Sequence, residues 1–193
     1  MDCLAKDFED RCAYSMQHTY RAGGRKCMEI DHFDPRQRSY LRQDYSNLFL
    51  ATRHCNGAKR DRWESNKKRQ RGARFLNCCE EMDYDVHILE DPDTHEVVGM
   101  TPEGRYHVRS CDLNAPHLVQ ERTQRAQMWE LLESKPIQVK GEWSSSNAEH
   151  LLKYIGELKG VVEQMIPRIR YLSGEDLEKN RALKNALAEI AGE

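Results

Sequence analysis

The pattern of apolar and polar positions predicts a mixed first half of the chain. The stretch from Asp2 to Arg11 has the composition of a short helix, and Lys26 to Phe33 predicts a short strand. A polar, arginine-rich loop follows Pro35, after which Leu48 to Ala51 predicts a short buried strand. A helix is predicted from Arg53 onward. The order is therefore helix, strand, long loop, strand and helix.

The second half is predicted to begin with strands and to end with helices. Between Asp85 and Val108, apolar and polar residues alternate around two turn signals, at 91–93 and 102–104, which predicts a small β-meander. A helix is then predicted from Pro116 to about Glu133, with Asn114 as its cap, and further helices over 147–169 and 175–190. The predicted fold class is α+β.

The charge is distributed unevenly along the chain. All 193 residues together carry 30 Lys and Arg against 32 Asp and Glu, but residues 1–75 have a net charge of +7 and residues 76–193 a net charge of −9. Nine of the basic residues lie between Arg53 and Arg74. Such a block favours a polyanionic partner, with a solvated surface or a flexible loop as the alternative.

Composition and cysteine usage narrow the cellular context. No long unbroken apolar stretch is present and the acidic N-terminus has no signal-peptide pattern, so we expect a cytoplasmic protein without a membrane partner. The seven cysteines are irregularly spaced. In such a chain they indicate free thiols or metal ligands.

Three short polar patterns occur in order in the first half. They are Ile30-Asp31-His32-Phe33, Tyr45-Ser46-Asn47-Leu48 and His54-Cys55-Asn56-Gly57-Ala58-Lys59. Each is common alone, but together, on a strand, a strand and a helix, they resemble the HNH endonucleases, a branch of the ββα-metal nucleases. The resemblance covers about residues 12–63. It implies a ββα-metal finger nuclease core, followed here by the meander and a helical C-terminal region.

The resemblance assigns roles to four residues. Asp31 would supply a carboxylate to a catalytic Mg²⁺ or Mn²⁺, His32 would be the general base, and Asn56 would be the second protein ligand. These are suitable residue types, because hard cations prefer oxygen ligands and a histidine can take a proton from water near neutral pH. Asn47 would brace the loop between the strands. The alternative is that these side chains are ordinary turn and cap residues.

A nuclease must also grip a phosphate backbone. Three basic residues near Asn56 could hold phosphates beside the site, and further arginines in the connecting loop and at the start of the helix could grip the other side. The predicted nucleic-acid contacts are Arg36, Arg38, Arg53, Lys59, Arg60 and Arg62. We expect residues 1–75 to form the nuclease module, with DNA favoured as substrate, and residues 76–193 to be a partner-binding region.

A structural zinc is common in proteins of this type, held by two Cys-x-x-Cys pairs, but each pair is half missing here. Ser15 stands where a partner of Cys12 would be, and Thr52 stands where a partner of Cys55 would be. Serine and threonine are not ordinary zinc ligands. We expect that the zinc has been lost; otherwise Cys12 and Cys55 would recruit the nearest candidates, which are His18, Cys27 and His54.

A second resemblance begins at Leu113-Asn114 and continues through Leu118 to Arg122. This pattern is similar to a signature of HNH subunits in Septu-type and retron-associated bacterial antiphage systems. The resemblance implies an effector nuclease that works with an ATPase partner. The alternative functions are a catalytically silent nucleic-acid-binding module and an adaptor subunit that retains the ββα fold.

Overall fold

The fold is seen in a computed structural model of the chain. It describes residues 1–38, 44–81 and 84–134, with four single positions further on, Lys153, Gly156, Gly160 and Val161. Apart from those four positions, the helices predicted over 147–169 and 175–190 lie outside the described residues.

The described residues form ten α-helices and β-strands, besides three short 3-10 helices, with two separate two-stranded antiparallel sheets, so the predicted α+β class is confirmed. In chain order the elements are α1 (Asp2–Asp7), β1 (Met28–His32), β2 (Leu48–Thr52), α2 (Arg53–Lys59), α3 (Asn66–Arg69), α4 (Tyr84–His87), β3 (Ile88–Glu90), β4 (Val97–Gly99), α5 (Pro102–Ser110) and α6 (Pro116–Ser134). Within the described ranges no helix has the length and apolar character needed to cross a bilayer.

Strands β1 and β2 pair antiparallel and carry the first two motifs. The register places Asp31 opposite Phe49 and His32 opposite Leu48. Every residue of β2 is buried, in agreement with its apolar sequence. Helix α2 follows β2 directly, because Thr52 ends the strand and its side chain accepts a hydrogen bond from the Cys55 backbone N–H.

One hydrophobic core joins the basic and acidic halves of the sequence. Tyr14 and Phe49 pack together from the first half, with ring centroids 6.3 Å apart. Tyr14 also contacts the ring of His107 from the second half, at 5.8 Å. The core continues from α1 and β2 to Leu118 on α6. Packing therefore crosses residue 75, where the charge changes sign.

Helix α5 corrects the predicted meander. Between residues 85 and 108 only β3 and β4 are strands, and the stretch from Pro102, which was expected to lead into another strand, is helical. Thr101 caps this helix by accepting a hydrogen bond from the Gly104 N–H, and Pro102 takes the first helical position. Gly104 is needed for contact rather than for a turn, since a Cβ there would lie 2.0 Å from the carbonyl oxygen of His87.

Helix α6 spans Pro116–Ser134, as predicted, but Asn114 does not cap it. The Asn114 amide instead accepts from the Val97 N–H at 2.7 Å and donates to the Val97 carbonyl at 2.9 Å. Arg122 donates to the carbonyls of His95 and Leu113 at 2.6 and 3.0 Å. The Asn and Arg of the second sequence signature thus fasten α6 to the β3–β4 hairpin.

Candidate active site

His32 is the last residue of β1, where the strand gives way to the long loop. Its ring is partly buried, and its Nδ1 atom is buried without a hydrogen-bond partner among the described residues. A buried imidazole nitrogen of this kind normally finds a partner. The hydrogen-bonding capacity of this nitrogen is therefore unused within the described residues.

Asp31 lies beside His32 in sequence but in a different environment. Its Oδ2 atom accepts a hydrogen bond from the Tyr14 hydroxyl and lies 2.9 Å from the ammonium of Lys59. Burial, followed by the nearby Asp31 carboxylate, raises the pKa of Tyr14 well above its usual range, so this hydroxyl keeps its proton. Asp31 is 7 % exposed. The carboxylate is thus a buried charge compensated by Lys59.

The position of Lys59 contradicts its predicted role as a phosphate contact. The side chain is fully buried, at 0 % exposure, between the rings of Tyr14 and Phe75. Its ammonium also donates to the carbonyl oxygen of His32, at 3.1 Å. Lys59 therefore joins α2 to the end of β1 and leaves no ammonium at the surface for a nucleic acid.

Asn56 lies one helical turn before Lys59, and its side chain binds the carboxylate of Glu29 rather than that of Asp31. Its Nδ2 donates to Glu29 Oε2 at 2.8 Å, and Arg53 donates to Glu29 Oε1 at 3.0 Å. The hydrogen bond from Asn56 is the main cause that lowers the pKa of Glu29. Glu29 was not predicted as a site residue, although it lies two residues before Asp31 on the same strand.

Asn47 holds the two ends of the long loop together. Its Oδ1 accepts from the Asp34 N–H at 2.7 Å and its Nδ2 donates to the Asp34 carbonyl at 3.0 Å. The Phe33 N–H also donates to the Asn47 carbonyl, at 2.9 Å. Both residues that follow His32 are therefore bound to Asn47, which fixes the direction in which the chain leaves β1.

Asp31 and Asn56 carry oxygen atoms of the chemical type that a hard divalent cation prefers. Asp31 Oδ1 and the amide oxygen of Asn56 make no hydrogen bond within the described residues, and both are oxygen donors of the kind that Mg²⁺ prefers. Across the described ranges, no three His, Cys, Asp or Glu side chains are grouped to hold a metal ion. A cation here would depend on few protein ligands, with water and substrate phosphate completing its shell.

The four residues of the two half-missing cysteine pairs, Cys12, Ser15, Thr52 and Cys55, lie together in the core. The Thr52 N–H donates to Cys12 Sγ at 3.3 Å, and the hydroxyl of Thr52 lies 3.7 Å from the same sulfur. Burial opposes ionisation of Cys12, yet hydrogen bonds with Cys55, Ser15 and Thr52 lower its pKa to about 5. The cluster of Cys12, Ser15, Thr52 and Cys55 thus forms a hydrogen-bonded group.

The other zinc candidates lie apart from this cluster. Cys27 contacts the carbonyl of Gly23, at 3.7 Å, and His18 Nδ1 accepts from the Tyr20 N–H. His54 lies against His117, with ring centroids 4.4 Å apart. The alternative, in which His18, Cys27 or His54 completes a site with Cys12 and Cys55, has no support in the described residues, where no three His, Cys, Asp or Glu side chains are grouped to hold a metal ion.

Two of the basic side chains, Arg36 and Arg69, lie against the indole ring of Trp63. The Arg36 and Arg69 guanidinium groups lie 5.1 and 4.2 Å from the indole centroid, and the Phe33 ring is nearly perpendicular to the indole, with centroids 5.7 Å apart. Arg36 also pairs with Asp34, at 2.8 Å. Neither Trp63 nor Arg69 was predicted from the motifs, although an aromatic residue within a basic block was a usable signal.

The remaining predicted contacts differ in how freely they could bind phosphate. Arg53 and Arg38 are exposed but lie near carboxylates, Glu29 at 3.0 Å and Asp61 at 3.8 Å. Arg60 and Arg62 are exposed and have no ion pair within the part of the chain described. These last two are therefore the most available for a nucleic acid among the predicted six.

The comparison with protein families gives a match over the first part of the chain. Residues 10–62 match the model of the HNH endonuclease family, a range that contains Cys12, His32, Asn47 and Asn56. This segment, about a quarter of the chain, is therefore similar to HNH endonuclease domains. Neither the curated proteins nor the solved structures contain a match to the chain.

Proposed function

We propose that this protein is a metal-dependent HNH endonuclease that hydrolyses phosphodiester bonds, with DNA as the favoured substrate. The observation that carries the proposal is the buried, unpaired Nδ1 of His32 at the end of β1, within the range that matches the HNH family. A base that must remove a proton from water needs a nitrogen that no neighbour already occupies.

The chain's own residues define the proton transfer. His32 takes a proton from the attacking water, and the water oxygen then forms the new bond to phosphorus as the leaving oxygen departs. Such a base contributes roughly 10²–10⁴-fold to the rate. Lys59 and Asn47 position His32. Lys59 donates a hydrogen bond to the His32 carbonyl, and Asn47 binds the backbone of Phe33 and Asp34, the two residues that follow His32.

Asp31 and Asn56 are the residues proposed to hold Mg²⁺ or Mn²⁺. When bound, such an ion supplies positive charge to a phosphate oxygen and to the leaving oxygen. Asp31 would offer Oδ1, because its Oδ2 is engaged by Lys59 and Tyr14. Asn56 would offer its amide oxygen while its Nδ2 stays with Glu29.

Substrate binding is proposed to use the surface around Trp63. Arg36 and Arg69 are held on the indole, and Arg60 and Arg62 present exposed guanidinium groups nearby in sequence. Contacts of this kind position the phosphate backbone without reading the bases.

The test is a cleavage assay on plasmid and single-stranded DNA with Mg²⁺ or Mn²⁺, comparing wild type, His32→Ala and His117→Ala. We expect His32→Ala to lose at least about a hundredfold in cleavage rate while its DNA affinity is retained. His117→Ala, which removes a histidine from α6, should cleave like wild type. Equal cleavage by His32→Ala would refute the role of His32.

A catalytically silent binding module is the second candidate, and the Lys59–Asp31 pair favours it. The carboxylate that would receive the cation already has a buried positive partner, at 2.9 Å. If the pair excludes cations, the protein binds DNA in a salt-dependent way and cleaves it with neither metal. This result, with folded wild-type protein, would replace the first proposal.

The wider role is proposed from the second sequence signature. Leu113-Asn114 to Arg122 is similar to a pattern in antiphage HNH subunits that act with an ATPase, so we propose that the chain is such an effector nuclease and that residues 76–193 contact the partner. Copurification of an ATPase with the full chain in its native host, lost on removal of the residues after 134, would support this role.

A further inference from the structure

Helix α5 brings two arginines of the acidic half to the basic half. Arg105 and Arg109 are four residues apart and so lie on one face of α5. Together with Arg71 they line a cavity of about 280 Å³. No carboxylate belongs to the lining, and none of the three guanidinium groups has an ion pair in the described ranges.

A close backbone contact holds this cavity in shape. Gly72 has φ +91° and is buried, and a Cβ at that position would lie 2.4 Å from the Cβ of Pro102. The chain beside Arg71 can therefore approach the start of α5 only because residue 72 is glycine. Three like charges are kept around one concavity, where their field favours an anion.

A series of side-chain contacts links the lining of the cavity to the proposed active site. Tyr106, which lines it, packs on Phe75 with centroids 5.3 Å apart, and Phe75 lies 5.4 Å from the Lys59 ammonium. Lys59 in turn contacts Asp31. Only two side chains, Phe75 and Lys59, therefore lie between the wall of the cavity and Asp31 in this series of contacts.

We propose that Arg71, Arg105 and Arg109 form a second phosphate-binding site, which holds the nucleic-acid backbone at a distance from the cleaved bond. The inference rests on the proposed function and extends it to residues outside the HNH motif. The exposed position of all three side chains and the continuity of Arg71 with the Arg53–Arg74 basic block favour a polymer backbone over a free phosphate compound.

The experiment measures DNA affinity against salt for wild type, Arg105→Gln/Arg109→Gln and the control Lys6→Gln, an exposed lysine outside the cavity. Loss of two phosphate contacts lowers the slope of log affinity against log salt by about 1.8 on duplex DNA. Wild-type affinity should then fall about tenfold more than that of the double variant between about 50 and about 200 mM salt.

Four outcomes decide the proposal. A smaller slope in the double variant, with a wild-type slope in Lys6→Gln, supports it. Equal slopes in wild type and the double variant overturn the second site and leave the nuclease proposal intact, whereas a wild type that binds no DNA overturns both. Stabilisation of wild type by inorganic pyrophosphate, lost in the double variant while DNA binding is unchanged, assigns the cavity to a free phosphate compound and also overturns the proposal.

Discussion

The Lys59 ammonium lies 2.9 Å from the Asp31 carboxylate, and both side chains are buried. Removing one partner of such a pair leaves an uncompensated charge in the core, which typically costs about 3–5 kcal/mol of unfolding free energy. We therefore expect Lys59→Met to be destabilised by that amount in urea unfolding. Adding Asp31→Asn should restore most of the loss, because the remaining charge is removed and the amide oxygen can still accept from Tyr14.

Lys68→Met is the matched control for this variant. Lys68 also lies 2.9 Å from a carboxylate, that of Glu64, but its side chain is 67 % exposed. An exposed pair contributes about 0–1 kcal/mol. Comparable destabilisation by Lys59→Met and Lys68→Met would contradict the buried ion pair.

Asp34 should make the free energy of unfolding depend on pH in the acidic range. Hydrogen bonds from Arg36, against the effect of burial, lower the pKa of Asp34 to about 2. Because this is below its value in the unfolded chain, the carboxylate stabilises the fold above about pH 4, and that contribution is lost as the pH falls through about 2. We expect Asp34→Asn to cost about 1–2 kcal/mol at neutral pH, with the difference disappearing toward pH 2 in urea titrations.

Asp61→Asn provides the comparison for Asp34→Asn. The Asp61 carboxylate lies 3.8 Å from Arg38 and is 81 % exposed, so its loss should change stability little at any of these pH values. A constant deficit of Asp34→Asn between pH 4 and pH 2 would show that the ion pair is not its cause.

The cysteine cluster predicts that a zinc site can be rebuilt. Ser15 and Thr52 contribute hydrogen bonds to Cys12 at the positions of the missing thiols. We expect the double variant Ser15→Cys/Thr52→Cys to bind one Zn²⁺ per chain and to melt at a higher temperature with zinc than without it. Metal content and thermal unfolding measure this. Ser15→Ala/Thr52→Ala should bind none, and an absence of zinc in both double variants would contradict the convergence of these four positions.

Asn47 should affect turnover more than binding. Asn47→Ala removes both side-chain hydrogen bonds to the Asp34 backbone, so the loop after His32 loses its fixed path. We expect kcat for DNA cleavage to fall by at least about tenfold with KM nearly unchanged, since no phosphate contact is removed. The stability cost should be about 1–3 kcal/mol. A rise in KM at constant kcat would instead place Asn47 in substrate binding.

The strand–strand–helix segment was predictable because local signals agree there. The apolar run from Leu48 is buried throughout, and the motif residues sit at the end of β1 and on α2. Helix α5 was not predicted, because Pro102 and Gly104 are common in turns. Their use here depends on tertiary contact, namely the approach of Gly104 to His87.

The partners of the site residues were less predictable than their identity. A lysine in a basic block is normally solvated, but Lys59 lies on the same face of α2 as Cys55 and is drawn into the core by Asp31 and two rings. Tyr14 is distant in sequence from Asp31, and no short motif indicates the hydrogen bond between the two side chains. Such pairings arise from the fold as a whole.

The continuity of the core has a consequence for folding during synthesis. Tyr14 packs against the ring of His107. The Nδ1 atom of His107 also accepts a hydrogen bond from the Leu76 N–H, at 3.0 Å. The surroundings of Asp31 are therefore incomplete until α5 has left the ribosome. Residues 10–62 would remain without their finished core, and hence without the activity proposed for them, until α5 has been synthesised and can pack.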